Sequence, residues 1–276
     1  MTCLKKKYQK MRMMINLGYD AELLHAYQIK VPVRITLSKK HTHILIAGKS
    51  GSGKSLSARW YLYQMLYNRE SRVYIADYKA GEEYEALEGS PSYASGEEAF
   101  QMVRDFYGLF QEVRKNRLRL KTHYTLFVEE WFGLLTYAEN RDKKWKAELM
   151  SMVGEILAVG RGLNFGVMMC VQRADASLFN TGMREQFQAV VCFGRCSQEQ
   201  FRMLGFSGEL EENPTGRYKA GQALALIDGQ DAVREIIVPW IRNEAVMCRQ
   251  IRKMLDNQPD LPSLIRAVAE GESPGQ

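Results

Sequence analysis

The sequence predicts an α/β protein with a mostly parallel central sheet flanked by helices and a β-hairpin towards the C-terminus. Three observations predict it. Apolar runs of five or six residues alternate with longer segments of helical period. A glycine-rich loop separates the first such run from a helical segment. Late in the chain, two short apolar runs flank the turn pair Asp228 and Gly229.

Each element follows in order. The core strands read as His43 to Ala47, Arg72 to Asp77, Tyr124 to Val128, Gly166 to Val171 and Ala189 to Phe193. Between the second and third, Phe100, Val103, Tyr107, Phe110 and Val113 recur at spacings of three and four, the stripe of a helix facing a core. Lys144 to Val159 reads as another helix, broken by Gly160 and Gly162. The hairpin strands are Gln222 to Ile227 and Val233 to Val238, and Asn243 to Leu255 reads as a basic terminal helix. This divides the chain into a basic segment over 1–30, one domain over 31–242, and a helix with a flexible tail over 243–276. Pro259, Pro262 and Pro274 suggest that the stretch from Asn257 towards Gln276 lacks a fixed fold.

With 276 residues, 46% hydrophobic and 25% charged, the chain can bury a large core, which excludes disordered, collagenous and disulfide-scaffold classes. Lys plus Arg is 38 against 32 acidic residues, a net charge of +6 that leans towards an anionic partner. Part of the excess sits in Lys5, Lys6, Lys7, Lys10 and Arg12, and part in Arg114, Lys115, Arg117, Arg119 and Lys121. Solvated helix ends account for such clusters equally well. The five cysteines (Cys3, Cys170, Cys192, Cys196, Cys248) are too scattered for a disulfide framework, and Cys192 and Cys196 lack a second pair to complete a zinc site. A reducing cytoplasm fits them. The apolar runs are strand-sized, far below the roughly 20 residues that span a bilayer, and the basic start leads into no apolar signal core.

The chemistry begins with Gly48-Lys49-Ser50-Gly51-Ser52-Gly53-Lys54-Ser55, a complete G-x-x-x-x-G-K-[ST] phosphate loop. It follows an apolar strand and opens a helix at Leu56, the context such a loop requires. Its glycines let successive backbone N–H groups curl around a β-phosphate, and the helix N-terminus adds its positive end. Lys54 is placed to reach the β- and γ-phosphates of ATP, and Ser55 to offer its hydroxyl to Mg²⁺. The loop makes the expected fold a RecA-like P-loop NTPase.

Such a loop needs an acidic partner on a neighbouring strand. Tyr124-Thr125-Leu126-Phe127-Val128-Glu129-Glu130 supplies one: Glu129 would hold Mg²⁺ through water, and Glu130 would serve as general base or water positioner. The first position is usually Asp, and Glu129 is one methylene longer. The competing reading is a carboxylate pair capping a helix that starts near Trp131. Gln172 ends the strand Gly166 to Val171, where an amide can sense the γ-phosphate or hold the water. Asp77 and Lys79 end the second strand in the same way, and a local turn role explains them as well as direct chemistry does.

In this order the elements resemble the motor domain of the FtsK/SpoIIIE/HerA group of hexameric DNA-translocating ATPases, which includes conjugative coupling proteins. His43-Ile44-Leu45-Ile46-Ala47-Gly48 enters the loop as in that group. Ile75-Ala76-Asp77-Tyr78-Lys79 is similar to its strand ending in Asp-Pro-Lys, with Tyr78 replacing Pro, and Glu129-Glu130 stands where the group has Asp-Glu. The most selective stretch is Gly160-Arg161-Gly162-Leu163-Asn164-Phe165-Gly166 leading through Val167-Met168-Met169-Cys170-Val171 to Gln172-Arg173. The resemblance spans roughly residues 31 to 240. It implies that Arg161 acts in a neighbouring subunit as an arginine finger, so that hydrolysis needs an oligomer. A cation favoured by the helix C-terminus is the plainer account of Arg161, and Arg173, Arg195 and Arg202 are weaker candidates for the finger.

No transmembrane segment precedes the motor and nothing after residue 240 is long enough for a winged-helix DNA reader, so the expectation is a minimal motor of a mobile element. The resemblance implies a ring, a hexamer, that moves DNA by sequence-independent phosphate contacts. The stretch 114–121 and the segment from Arg173 to Arg184 are the candidate DNA-contacting loops. A separate relaxase, replication or membrane partner would recruit it, the last placing a cytoplasmic protein at the membrane. The alternatives are a nucleotide-gated DNA- or protein-binding adaptor with weak ATPase activity, and a small-molecule P-loop kinase.

Overall fold

In the computed structural model, which describes residues 14–37, 41–68, 71–180, 182–230 and 232–271, the described strands all join one ten-stranded sheet. In chain order they are Met14–Asp20 (β1), Pro32–Thr36 (β2), Ile44–Gly48 (β3), Ser71–Asp77 (β4), Tyr93–Ser95 (β5), His123–Glu129 (β6), Phe165–Val171 (β7), Ala189–Phe193 (β8), Gln222–Ile227 (β9) and Arg234–Ile237 (β10). The helices are Ala21–Tyr27 (α1), Lys54–Tyr67 (α2), Glu98–Lys115 (α3), Trp131–Arg141 (α4), Lys143–Val159 (α5), Gln198–Met203 (α6), Glu244–Asp256 (α7) and Leu261–Ala269 (α8).

The strand order is β2-β1-β10-β9-β8-β3-β7-β6-β4-β5. From β8 through β5 neighbouring strands are parallel, and from β8 back to β2 they are antiparallel. The five core strands lie within one residue of where their apolar runs place them. Every residue of β3, β6, β7 and β8 is buried, because helices cover both faces and leave no side to alternate towards water.

One face carries α3, α4, α5 and α8. Phe106, Phe110, Leu134, Ile156 and Leu264 pack there on Leu45, Tyr124 and Val171. The other carries α2 and α7, with Tyr61, Leu62, Met247 and Ile251 on Ile44, Ile46 and Phe127. Of the expected α3 stripe, Phe100, Val103, Phe110 and Val113 are buried. Tyr107 is half-buried, and its hydroxyl reaches Glu155 on α5.

Two expectations are corrected. The sheet starts at Met14, inside the stretch assigned to a basic segment, because Ile15 and Leu17 alternate inward on β1 and are buried. The basic residues at positions 5–12 lie outside the described residues. The stretch after Asn257 is not without fixed fold: Asp260 caps α8 by accepting from the Ser263 N–H at 2.8 Å, and Leu261, Leu264 and Val268 are buried. Pro262 sits in the first turn, where a helix needs no N–H from it, so the prolines read as disorder include a helix start. Residues 272–276 lie outside the described residues.

The hairpin β9–β10 forms as expected and attaches to the sheet through β9 on β8. That attachment carries the start of β9 to the phosphate loop.

Candidate nucleotide-binding site

β3 brings the chain to the carboxyl edge of the sheet at Gly48, and residues 49–53 turn it back into α2. Gly51 and Gly53 have φ of 77° and 90°, a backbone region in which an L side chain is strained. At Gly53 there is a second reason for glycine: a Cβ would lie 2.8 Å from the backbone nitrogen of Gly221. That nitrogen donates to Ser52 O at 2.9 Å, so the chain entering β9 closes over the loop. No side chain caps α2 at Gly53, which leaves the first N–H groups of the helix free to meet an anion. Lys49, Ser50 and Gly51 are exposed at the loop's tip.

Lys54, 6% exposed, points its ammonium at Glu129, with Nζ 3.4 Å from Oε1. Burial favours the neutral amine, but the neighbouring acidic groups of Cys170, Glu129 and Glu130 outweigh it and hold the Lys54 pKa above the ordinary value. The Ser55 hydroxyl donates to the same Glu129 oxygen at 3.2 Å. The other oxygen, Glu129 Oε2, is buried with no hydrogen-bond partner. A hydroxyl beside a carboxylate with an unused buried oxygen is a hard donor pair that fits Mg²⁺, an ion that keeps several waters.

Glu130 stands one residue beyond β6 in the left-handed region, φ 58° and ψ 57°, a conformation that costs a non-glycine residue about 1–3 kcal/mol. It is the N-cap residue of α4, yet its side chain makes no capping bond. Instead its Oε2 accepts from Gln172 Nε2 at 3.3 Å. The geometry joins the ends of β6 and β7 and leaves the carboxylate partly exposed.

Asp77 pairs in register with Glu129 across β4 and β6 and is completely buried. Its Oδ2 accepts from the Tyr93 hydroxyl at 2.9 Å, while Oδ1 has no partner. Burial, reinforced by the Glu129 charge and opposed by the Tyr93 bond, raises the Asp77 pKa to about 6. Lys79 is turned to Glu83 at 2.6 Å on the rim.

Arg161 lies elsewhere. It is exposed on the turn Gly160–Leu163 that precedes β7, whereas the phosphate loop follows the end of parallel β3. A seven-residue strand spans about 20 Å, so Arg161 stands at the opposite edge of the sheet from its own subunit's loop. The 114–121 stretch shares that far edge, where Asn164 Nδ2 donates to Leu120 O and a cavity opens between Arg119 and Gly162. Arg173 and Arg195 instead line a small cavity beside the loop, together with Lys49 and Gln172. Arg173 is paired with Asp175 and Glu199, and Arg202 is exposed on α6.

Three features of this site had no sequence motif: the register that sets Asp77 beside Glu129, the strained backbone at Glu130, and Gly221 over the loop. Asp77 ending an apolar strand was the one available signal.

Among the described residues the free cysteines are Cys170, Cys192, Cys196 and Cys248, no group of three or more His, Cys, Asp or Glu could hold a metal, and no helix is long and apolar enough to cross a membrane.

The fold and the loop define a RecA-like P-loop domain. Among solved structures its fold is that of the FtsK/HerA-type ATPase domains. The chain is similar to the cytoplasmic domain of the type VII secretion ATPase EccC of Thermomonospora curvata, with TM-score 0.66 and 17% identity over 91% of this chain and 32% of that one. It is similar to the pCW3 conjugation coupling protein TcpA, solved in a monomer form with ATPγS, at TM-score 0.62 and 18% identity over 88% and 70%. It is also similar to the genome packaging NTPase B204 of Sulfolobus turreted icosahedral virus 2, at TM-score 0.51 and 14% identity over 73% and 98%. The chain thus spans about a third of the secretion ATPase chain and most of the coupling protein chain. No protein-family model matches the sequence, and no curated protein matches it.

Proposed function

We propose that this chain is an ATP-driven DNA translocase of a mobile element, serving conjugative transfer, packaging or replication-linked pumping. In this reading it works as a ring, a hexamer, that hydrolyses ATP at subunit interfaces. The observation that carries the reading is the convergence of Lys54, Ser55 and Glu129 within 3.4 Å at the carboxyl edge of the sheet, with Glu130 held by Gln172 alongside. Lys54 leaves Glu129 for the β- and γ-phosphates when ATP enters. Ser55 and Glu129 would hold Mg²⁺, which neutralises charge on the phosphate oxygens when bound. Glu130 orients the attacking water and takes its proton, and Gln172 fixes the carboxylate in place.

The position of Arg161, far from its own loop and exposed, supports a role at a neighbouring subunit's nucleotide. DNA would be gripped through its phosphates, without reading of bases. Relaxase, replication or membrane partners would recruit the ring, the last bringing a cytoplasmic protein to the membrane.

A second reading is a nucleotide-gated adaptor with weak ATPase activity. The buried Lys54–Glu129 ion pair favours it, because nucleotide must displace a partner already in place. Likeness to a secretion ATPase adds polypeptide as a competing cargo. The test is steady-state ATP hydrolysis with and without single- and double-stranded DNA, at low and moderate salt, with Lys54→Ala as blank. Stimulation by DNA that fades with salt supports the translocase. Tight ATP binding without stimulation supports the adaptor, and stimulation by polypeptide alone replaces the cargo.

A further inference from the structure

Trp240 is the most exposed of the large apolar side chains described, at 83%. Trp131, by contrast, is fully buried with its Nε1–H donating to Leu178 O. An indole left in water forgoes a large burial gain, so folding does not account for Trp240.

Its place in the fold is fixed from both sides. Val238 N–H donates to Gly221 O at 2.9 Å, and Gly221 N–H donates to Ser52 O of the phosphate loop at 2.9 Å. Trp240 follows two residues later, so its Cα lies within about 7 Å of that of Val238. Beyond it, Ile241 packs against the core under α2, and Glu244 bonds Arg59 of α2 at 2.6 Å. The segment 239–243 therefore passes from the roof of the loop to the second turn of the helix that the loop opens.

The same geometry orients a nucleotide. Glu129, Glu130 and Gln172 mark the γ-phosphate end, and they stand on β6 and β7, to one side of β3. The sugar and base must leave on the other side, where β8 and β10 end, β9 begins and Gly221 touches the loop.

We propose that Trp240 is the platform for the base, its indole face stacking on the purine of the nucleotide whose phosphates occupy the loop. This rests on the reading of residues 48–55 as a nucleotide site. A stacking face has no donor or acceptor code, so it adds affinity for ATP and GTP alike.

The experiment is calorimetric titration of the full chain with ATPγS, GTPγS and inorganic tripolyphosphate, using the parent protein, Trp240→Ala and Trp240→Phe. Trp240→Ala is expected to weaken both nucleotides about tenfold and leave tripolyphosphate unchanged. Trp240→Phe should bind both within about threefold of the parent, since a ring is retained. Quenching of tryptophan fluorescence by ATPγS should disappear in both variants. If Trp240→Ala binds ATPγS as the parent does, or loses tripolyphosphate equally, the platform is wrong while the nucleotide site stands. If the parent binds neither ATPγS nor tripolyphosphate, the site reading itself fails.

Discussion

Asp77 and Glu129 face one another in the register of β4 and β6, two buried carboxylates at the ends of adjacent parallel strands. Both have one oxygen without a hydrogen-bond partner. Burial and the Glu129 charge lift the Asp77 pKa from 3.8 to about 6. Well below pH 3.8 Asp77 is protonated in both folded and unfolded chains and costs nothing. Between pH 4 and 6 the unfolded chain gives up the proton first, so folding stability falls as pH rises. Asp77→Asn should therefore stabilise the nucleotide-free protein by about 3 kcal/mol above pH 6 and by little at pH 4. Urea unfolding in chelator at the two pH values measures this, and a gain independent of pH would contradict it.

Lys54→Ala removes the only cation bonded to Glu129 among the described residues and, in the proposed reading, the group that meets the phosphates. Hydrolysis should fall at least about 100-fold, with ATP binding weakened as well. Single-turnover assays with direct binding separate the two effects.

Glu130→Gln keeps the size of the side chain but cannot take a proton. Turnover should drop by about 10²–10⁴ while ATPγS binds within about threefold of the parent. Parent-level hydrolysis in this variant would remove Glu130 from the chemistry.

Arg161 sits across the sheet from its own loop, so its loss should spare nucleotide binding. Arg161→Ala should lower hydrolysis by about 10³ if it completes a neighbour's site. Mixed with Lys54→Ala, it should regain activity, because one interface then combines an intact lysine with an intact arginine. Two inactive proteins that stay inactive when mixed would sink the trans role.

Gly53→Ala meets both a left-handed backbone and the Gly221 nitrogen at 2.8 Å. The backbone alone costs about 1–2 kcal/mol, and the roof over the loop must also shift. Since 1 kcal/mol moves Tm by about 2–4 °C in a domain of this order, a fall of at least about 2 °C is expected. Loss of ATPγS binding at 20 °C, where the variant remains folded, would show that the roof shapes the site.

The phosphate loop, the acidic strand end at Glu129 and five of the six parallel strands were legible in the amino-acid order. Each is a local pattern: a strand buried on both faces reads as a continuous apolar run, and a phosphate loop is contiguous in the chain. The first strand was hidden, because two inward residues, Ile15 and Leu17, are too short an alternation to register next to a basic stretch. Helix α8 was hidden by prolines that signal a turn and a helix start equally.

Tertiary structure alone decided what stands beside what. Asp77 meets Glu129, and Gly221 closes on Ser52 while bonding Val238, two residues before Trp240, only because β9 and β10 add to β8 rather than to another edge. Arg161 is sent to the far edge because β7 runs parallel to β3. Such relationships depend on strand order and register, which are set by long-range packing of the whole sheet and leave no mark in the spacing of neighbouring residues.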